Sequence, residues 1–177
     1  MEDKGTGRSI IETERLYLRE MTRDDLPALS AILQDDKTMY AYEGAFSDEE
    51  TLAWLNRQLE RYREDGFGLW AVILKETGAM IGQAGITLQN VDGEIYPEIG
   101  YLFNRQYWKK GYAIEAAKGC KSYGFHTLGL EKLVGIVRDI NIPSMNVAIR
   151  NEMVIWKRIV KHYKGIDMAH FVFVVCK

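Results

Sequence analysis

The chain has 177 residues, of which 47% are hydrophobic and 27% are charged, and its net charge at pH 7 is −2. A chain of this length and mixture can bury a hydrophobic core in one folded unit, which argues against a disordered protein. The 23 basic and 25 acidic side chains are nearly balanced and form no dense run of Lys and Arg, which argues against nucleic acid as the main partner.

The amino-terminal segment and the two cysteines bear on location. Residues 1–10 are polar and predict a flexible lead-in without the apolar core of a secretory signal. No apolar run approaches the roughly 20 residues that a helix needs to cross a bilayer. Cys120 and Cys176 lack the spacing of a disulfide framework, which fits a reducing compartment. We therefore expect a cytoplasmic protein that does not enter a membrane.

The first third of the chain predicts one strand and two helices. Residues 15–19 alternate between apolar and polar, as a half-buried strand does. Residues 22–33 and 47–64 repeat apolar side chains at helical spacing, and the second helix begins with a Ser-Asp-Glu-Glu capping box. An aromatic segment, residues 40–46, joins the two helices.

In the middle of the chain, the spacing of apolar residues changes from that of a helix to that of strands. Residues 69–75, 80–89 and 95–103 are separated by turn sequences and predict an antiparallel meander of three strands. Residues 111–128 then predict a helix that ends at Gly129.

The last third predicts three strands and one short helix. Residues 132–137 form an apolar run typical of a central strand, and residues 143–151 predict a helix with proline in its first turn. Residues 154–163 and 168–176 predict two closing strands. The order β-α-α-β-β-β-α-β-α-β-β predicts a mixed α/β fold, and the absence of a linker or repeat predicts a single domain over residues 1–177.

The junction before the helix at residues 111–128 carries the main chemical signal. The first backbone N–H groups of a helix have no partner within it, and they suit an anion such as a pyrophosphate. Gly111 lacks a side chain there, so that a ligand can approach closely, and Lys109 and Lys110 add positive charge. A glycine at a helix start is also common in purely structural turns, and this alternative stays open for the junction taken alone.

Two motifs resemble those of a known family. The run Glu98-Ile99-Gly100-Tyr101 and the following residues 107–116 resemble the acetyl-CoA motif of the GNAT N-acetyltransferases. They are most similar to the branch that contains ribosomal-protein N-terminal acetyltransferases of the RimJ/RimL type. Residues 141–148 resemble the second motif of the family, Asn-x-x-Ser at a helix start, and the likeness extends over about residues 10–175.

The resemblance implies a fold and a cofactor site. It implies a twisted, mostly antiparallel sheet of about seven strands with helices on both faces and a splayed central pair, whose slot takes the pantetheine arm of acetyl-CoA. The backbone of Leu102 and Phe103 would pair with this arm, and Asn141 would contact it from the other side, unless Asn141 only caps its helix. The expected cofactor-binding residues are Tyr101, Leu102, Phe103, Trp108, Lys109, Lys110, Gly111, Tyr112, Ala113, Asn141 and Ser144.

The implied reaction is direct attack of a neutral amine on the thioester. Glu98 is the candidate general base, with a structural carboxylate as the alternative. Ser144 is the candidate donor to the leaving sulfur, with a helix cap as the alternative. Tyr40, Tyr42 and Glu43 are expected to line the acceptor pocket, where an acidic and aromatic rim suits a cationic amine, although plain packing of this loop explains them as well.

Three functions remain in view. The first is transfer of an acetyl group from acetyl-CoA to a primary amine, either a protein N-terminus or an amine-bearing small molecule. The second is a non-catalytic acyl-CoA sensor, and the third is a protein-interaction module without a cofactor. The three histidines lack metal-ligand spacing, so we expect no metal. The closing strands offer an edge through which a homodimer can form.

Overall fold

The structure is a computed structural model, and it describes residues 7–42 and 44–177. The strands are β1 (Ile11–Glu12), β2 (Leu16–Arg19), β3 (Leu69–Leu74), β4 (Met80–Val91), β5 (Glu94–Phe103), β6 (Lys132–Arg138), β7 (Val154–Tyr163) and β8 (Ile166–Cys176). The helices are α1 (Leu26–Leu33), α2 (Asp48–Glu64), α3 (Tyr112–His126) and α4 (Ile142–Arg150). The strands form one sheet in the order β1-β2-β3-β4-β5-β6-β8-β7.

The predicted fold class is confirmed, with one strand more than expected. The seven predicted strands are all present, and the additional strand, β1, pairs antiparallel with β2 through Ile11 opposite Leu18. Two residues are too few to show a period of two, so the sequence could not indicate this strand. Residues 1–6 of the predicted lead-in lie outside the described residues, while Ile10 donates its N–H to the Leu18 carbonyl at 2.8 Å.

Helices cover both faces of the sheet, as β3 shows. Trp70 and Val72 pack in one core cluster with residues of α3, whereas Ala71 and Ile73 pack in another with residues of α1 and α2. Successive strand residues point to opposite faces, so these two clusters lie on the two sides of the sheet. We call the sides the α3 face and the α2 face. The near-continuous apolar sequence of β3 follows from burial on both sides.

The predicted splayed pair is formed by β5 and β6. Every other neighbouring pair of strands in the described chain is antiparallel, but β5 and β6 run parallel and meet at one residue pair, Glu98 opposite Val134. Beyond this pair the two strands separate toward their carboxyl ends. The resulting gap, which we call the slot, lies in the centre of the sheet.

Small residues hold α3 close to the sheet beside the slot. Ala116, Ala117 and Cys120 are fully buried, and a Cβ atom on Gly124 would lie 3.0 Å from the Leu133 side chain. The close approach fixes the start of α3 at the end of β5, next to the slot. Among the described residues, no helix is both long and apolar enough to cross a membrane.

Candidate active site

A cavity of about 480 Å³ lies on the α2 face at the slot. Its walls come from the strands β3 to β8, from α2 and α4, and from described residues of the loops that precede these two helices. These segments are distant in sequence, and the sheet topology brings them together. The cavity therefore extends from the α2 face into the slot, where Tyr101 and Ser144 also line it.

Glu98 points into this cavity. On β5, Ile99 and Phe103 pack in the cluster that contains α3, whereas Leu102 packs against the cluster of α1 and α2. The period of two along a strand places Glu98 on the same face as Leu102. Its carboxylate thus belongs to the wall of the cavity, as the cavity lining shows.

The Glu98 carboxylate also spans the slot. Its Oε2 atom accepts a hydrogen bond from the backbone N–H of Ile136 on β6 at 2.9 Å. Burial raises the pKa of Glu98 to about 7, although the positive charges of Lys161 and Arg61 and the Ile136 hydrogen bond oppose this increase. A carboxyl group with this pKa can take up a proton near neutral pH, as a general base must.

The backbone direction of β5 decides which residues can contact a ligand in the slot. The N–H of Asn104 donates to the carbonyl of Ile81 on β4 at 2.9 Å. Backbone groups alternate in direction along an antiparallel strand, so Leu102 directs its groups toward β4, while Tyr101 and Phe103 direct theirs toward the slot. Leu102 therefore does not fit the backbone contact predicted for it, and its side chain lines the cavity instead.

Trp108 forms a hydrogen bond with one of the backbone groups that point toward the slot. Its indole N–H donates to the Phe103 carbonyl at 2.9 Å. This bond ties the loop before α3 to the end of β5. The backbone N–H and carbonyl of Tyr101 and the N–H of Phe103 also point toward the slot.

The side chain of Tyr101 lies on the α3 face, opposite to Glu98, and is joined to the start of α4. Its O–H donates to the Ser144 carbonyl at 2.8 Å, and the Ser144 hydroxyl lies 3.2 Å from the Tyr101 oxygen. Asn141 Oδ1 accepts from the Ser144 N–H at 3.2 Å and from the Tyr40 hydroxyl at 2.9 Å. The capping role that was the alternative for Asn141 is therefore present in the structure.

The start of α3 has the geometry of an anion site. Gly111 precedes the helix with a φ of 82°, in the left-handed region that favours glycine. The N–H of Glu115 donates to the Gly111 carbonyl at 3.2 Å, so the preceding N–H groups point out of the helix start. Lys109 and Lys110 are exposed beside it, and Lys109 also has a positive φ, of 61°.

Arg15 supports this loop, although the sequence indicated it only as part of a strand. Its Nε donates to Glu115 at 2.7 Å and its Nη1 donates to the Lys110 carbonyl at 2.9 Å. The guanidinium carbon lies 4.4 Å from the centre of the Tyr112 ring. Arg15 thus links the start of the chain to the loop at the start of α3, a contact between residues about a hundred positions apart that no local pattern reveals.

Of the described residues of the aromatic segment predicted to bind the acceptor, all but Tyr40 line the cavity. Tyr42 lines the cavity, and Tyr40 reaches the slot through its bond to Asn141. Arg138, at the end of β6, holds this segment by donating to the Ala41 carbonyl at 3.2 Å. Glu43 lies outside the described residues.

Several further cavity residues were not found from the sequence. Arg61, Lys161 and His170 come from α2, β7 and β8 and share no motif. His170 donates its Nδ1–H to the Met168 carbonyl at 2.9 Å, and burial lowers its pKa. Their common position depends on the pairing of β8 with both β6 and β7 and on the position of α2 over the sheet, which residue spacing alone does not give.

Comparison with known proteins agrees with this architecture. The sequence profile of the acetyltransferase (GNAT) domain matches residues 15–154. YnaD of Bacillus subtilis, which is named an uncharacterized N-acetyltransferase, is 35% identical over 138 residues, which are 77% of this chain and 78% of YnaD. An acetyltransferase of the GNAT family from Bacillus anthracis superposes with a TM-score of 0.80 at 27% identity, covering 94% of this chain and 97% of its own.

A complex of RimL, a ribosomal alpha-N-protein acetyltransferase, with coenzyme A has the same fold. It superposes with a TM-score of 0.77 over 96% of this chain and 98% of its own, at 14% identity. The family profile covers most of the chain, and the relative from Bacillus subtilis covers more than two thirds of it. The chain therefore belongs to the GNAT acetyltransferase family and is an N-acetyltransferase of that family.

Proposed function

We propose that the protein transfers an acetyl group from acetyl-CoA to a primary amine by direct attack, with Glu98 as the general base. The position of Glu98 carries this proposal. Its carboxylate lines a cavity that is large enough for an acceptor and adjoins the slot, and its pKa is raised to about 7. The acceptor would enter from the α2 face, while acetyl-CoA would bind from the α3 face.

The residues at the slot fit acetyl-CoA, which supplies the thioester carbonyl. The backbone N–H groups from Lys109 through Ala113 would hold the pyrophosphate at the start of α3. The slot-facing backbone of Tyr101 and Phe103 would pair with the pantetheine arm. Asn141 and Ser144 would border the arm from α4, and Trp108 and Tyr112 would shape the entrance.

In the proposed reaction, the amine nitrogen forms a bond to the carbonyl carbon, and the carbon–sulfur bond breaks. The amine proton passes to Glu98, directly or through water. The N–H of Tyr101 points toward the slot and is the candidate donor to the carbonyl oxygen as it gains charge. A thiolate whose thiol has a pKa of about 8.5 leaves readily, so the hydroxyls of Tyr101 and Ser144 need to supply no more than a hydrogen bond.

We propose an α-amino group as the acceptor, on a peptide N-terminus or on a small molecule. Such a group has a pKa of about 7.7–8.0, against about 10.4 for a lysine side chain. A base with a pKa near 7 matches the first much better than the second. Tyr40, Tyr42 and Glu43 are the residues proposed to border the acceptor.

A homodimer through β7 is a further part of the proposal. This strand is at the edge of the sheet, and it exposes Val154, Ile155 and Trp156. An exposed apolar edge strand is suited to pair with a second strand. Size-exclusion chromatography with light scattering tests it, and a monomer at tens of micromolar would contradict it.

The first experiment is a thermal melt with and without acetyl-CoA, followed by an amine panel with detection of released CoA thiol. Acetyl-CoA at about 100 times its Kd should stabilise the fold by roughly 2.7 kcal/mol, a rise in Tm of about 5–10 °C. Stabilisation with thiol release that depends on the amine supports the enzyme. Stabilisation without release from any amine would instead indicate the acyl-CoA sensor.

A further inference from the structure

The cavity on the α2 face carries more positive than negative charge. Its described lining includes four cationic side chains and two carboxylates, namely Arg61, Arg138, Lys161, Lys164, Glu50 and Glu98. His162 and His170 also line the cavity, but a histidine side chain adds no negative charge. The lining therefore has an excess of at least two positive charges when Glu98 is ionised, and a larger excess when it is protonated.

Three of these cations, Arg61, Arg138 and Lys161, lack an acidic partner among the described residues, and Arg138 donates instead to the Ala41 carbonyl at 3.2 Å. The fourth cation, Lys164, has a carboxylate partner, because its Nζ atom lies 3.9 Å from Oε2 of Glu50. Arg61 donates to the neutral side chain of Gln58 at 3.2 Å, and within the described chain no carboxylate lies within 4.0 Å of Arg61 or Lys161. Both side chains are partly buried. Partly desolvated cations that lack a close ion-pair partner are costly, so an anion bound beside them would be stabilised.

Strand register places the cations around Glu98. Arg138 of β6 pairs with His170 of β8, and His170 pairs with Ile159 of β7. Lys161 is two residues after Ile159 on β7, so its side chain points to the same face as that of Ile159. Ile159 packs with Val134, the partner of Glu98 in β6, on the α2 face. Lys161 therefore points to the same face as Glu98, and α2 brings Arg61 over it. The positive charges of Lys161 and Arg61 both act on the pKa of Glu98, in keeping with this proximity.

We propose that the acceptor amine carries an anionic group, a carboxylate or a phosphate, which binds to Arg61 and Lys161 beside Glu98. This inference rests on the proposed acetyl transfer and narrows its substrate class. A purely cationic amine would meet repulsion in the cavity, whereas an anionic substituent near the amine would balance the excess charge. The described pocket is thus basic, in contrast to the acidic rim that the aromatic segment suggested.

The test uses matched pairs of acceptors that differ in one negative charge. The pairs are serine and serinamide, amidated Ser-Glu and amidated Ser-Gln, and phosphoethanolamine and ethanolamine, so that the three sources of the anion are separated. Rates are measured at pH 8.5 or above and expressed per neutral amine. In at least one pair, kcat/KM for the anionic member should be higher by about tenfold or more. Turnover without such a preference in any pair overturns the inference and leaves the acetyl transfer standing.

Single substitutions test which side chains cause the preference for the anionic acceptor. Arg61→Met and Lys161→Met should each lower kcat/KM for the anionic member about tenfold more than for its neutral partner. Arg57→Met is the matched control, because Arg57 is exposed on α2 one turn before Arg61 and does not line the cavity. An equal loss for both members of a pair would mean that the cations act on Glu98 and not on the acceptor, which overturns the inference.

A binding measurement covers the case in which no amine is acetylated. The CoA-bound protein is melted with the acetylated forms of both members of each of the three pairs. A larger rise in Tm with the anionic member of any pair supports the anion site even if the proposed transfer has failed. Equal shifts, or none, in all three pairs overturn the site independently of the enzymatic activity.

Discussion

The carboxylate of Glu98 and the backbone N–H of Ile136 lie 2.9 Å apart and join β5 to β6 beyond the last residue pair of the two strands. A regular parallel ladder would satisfy this N–H with a backbone carbonyl of β5. The side chain replaces that carbonyl where the strands separate. The same contact therefore helps to form the slot and fixes the orientation of the candidate base, as a precise site requires.

The first prediction concerns the pH dependence of the reaction. The raised pKa of Glu98 means that the ionised, base-competent form is lost as the pH falls through about 7. Glu98→Gln should reduce kcat/KM about a hundredfold or more above pH 8, and the variant should lose the acid limb near pH 7 when rates are expressed per neutral amine. Glu94→Gln, on the exposed start of the same strand, is the control. A variant Glu98→Gln with the profile of the unmodified protein would exclude this base.

The second prediction concerns stability without any ligand. The pKa of Glu98 is raised from 4.5 to about 7 in the fold, so the folded state keeps the proton longer than the unfolded state. This contribution to stability is full below about pH 4.5 and is lost as the pH rises through about 7. Glu98→Gln removes the buried charge but retains an oxygen for the Ile136 N–H. At pH 8 the variant should be more stable than the unmodified protein, by about 1–3 kcal/mol.

Urea unfolding at pH 5 and pH 8 checks the second prediction. The advantage of the variant should shrink toward zero at pH 5, because both proteins then carry a neutral group at this position. A variant that is less stable at pH 8 would show that the hydrogen bond and the nearby cations outweigh the burial of the charge.

The sequence predicted those parts of the site that depend on one stretch of chain. Gly111 and its neighbours combine a strand end, a turn and a helix start within a few residues, and their local geometry follows from that order. Glu98 was selected because the motif places it on the central strand. The period of two then suffices to place it on one face, as the structure shows with Leu102.

The sequence did not predict the residues that several elements bring together. Arg61 and Lys161 meet at the cavity because α2 covers the sheet and because β8 pairs with both β6 and β7. Arg15 donates a hydrogen bond to Glu115, which is 100 positions further along the chain. Leu102 was misjudged for a related reason, since the direction of its backbone depends on its register with β4. Long-range pairing of this kind leaves no periodic signal in a single sequence.

The third prediction separates the two hydroxyls on the α3 face of the slot. Ser144→Ala leaves the carbonyl of Ser144 as the acceptor for Tyr101, so kcat should fall by less than about tenfold. Tyr101→Phe removes both hydrogen bonds between β5 and α4 and should lower kcat by about ten- to a hundredfold. Steady-state kinetics at saturating acetyl-CoA measure both. The reverse order, with the larger loss in Ser144→Ala, would make Ser144 the main donor to the sulfur.

The fourth prediction tests the anion site at the start of α3 with a matched pair of glycines. Gly111 and Gly129 stand at the two ends of this helix with φ values of 82° and 68°. Alanine in this left-handed region costs about 1–2 kcal/mol, so both Gly111→Ala and Gly129→Ala should lower the free energy of unfolding. Only Gly111→Ala should raise the KM for acetyl-CoA, by about tenfold or more, because its N–H belongs to the proposed pyrophosphate site.

The methyl group of an alanine would meet little steric crowding at Gly111 or at Gly129, so the two substitutions can be compared directly. A Cβ atom there would lie 3.3 Å from Nη2 of Arg15, at the end of a flexible side chain, and a Cβ atom on Gly129 would meet nothing within 4 Å. Urea unfolding and the KM for acetyl-CoA are measured on both variants. If the KM is unchanged in Gly111→Ala, or rises equally in both variants, then the start of α3 does not hold the pyrophosphate and Gly111 serves the turn alone.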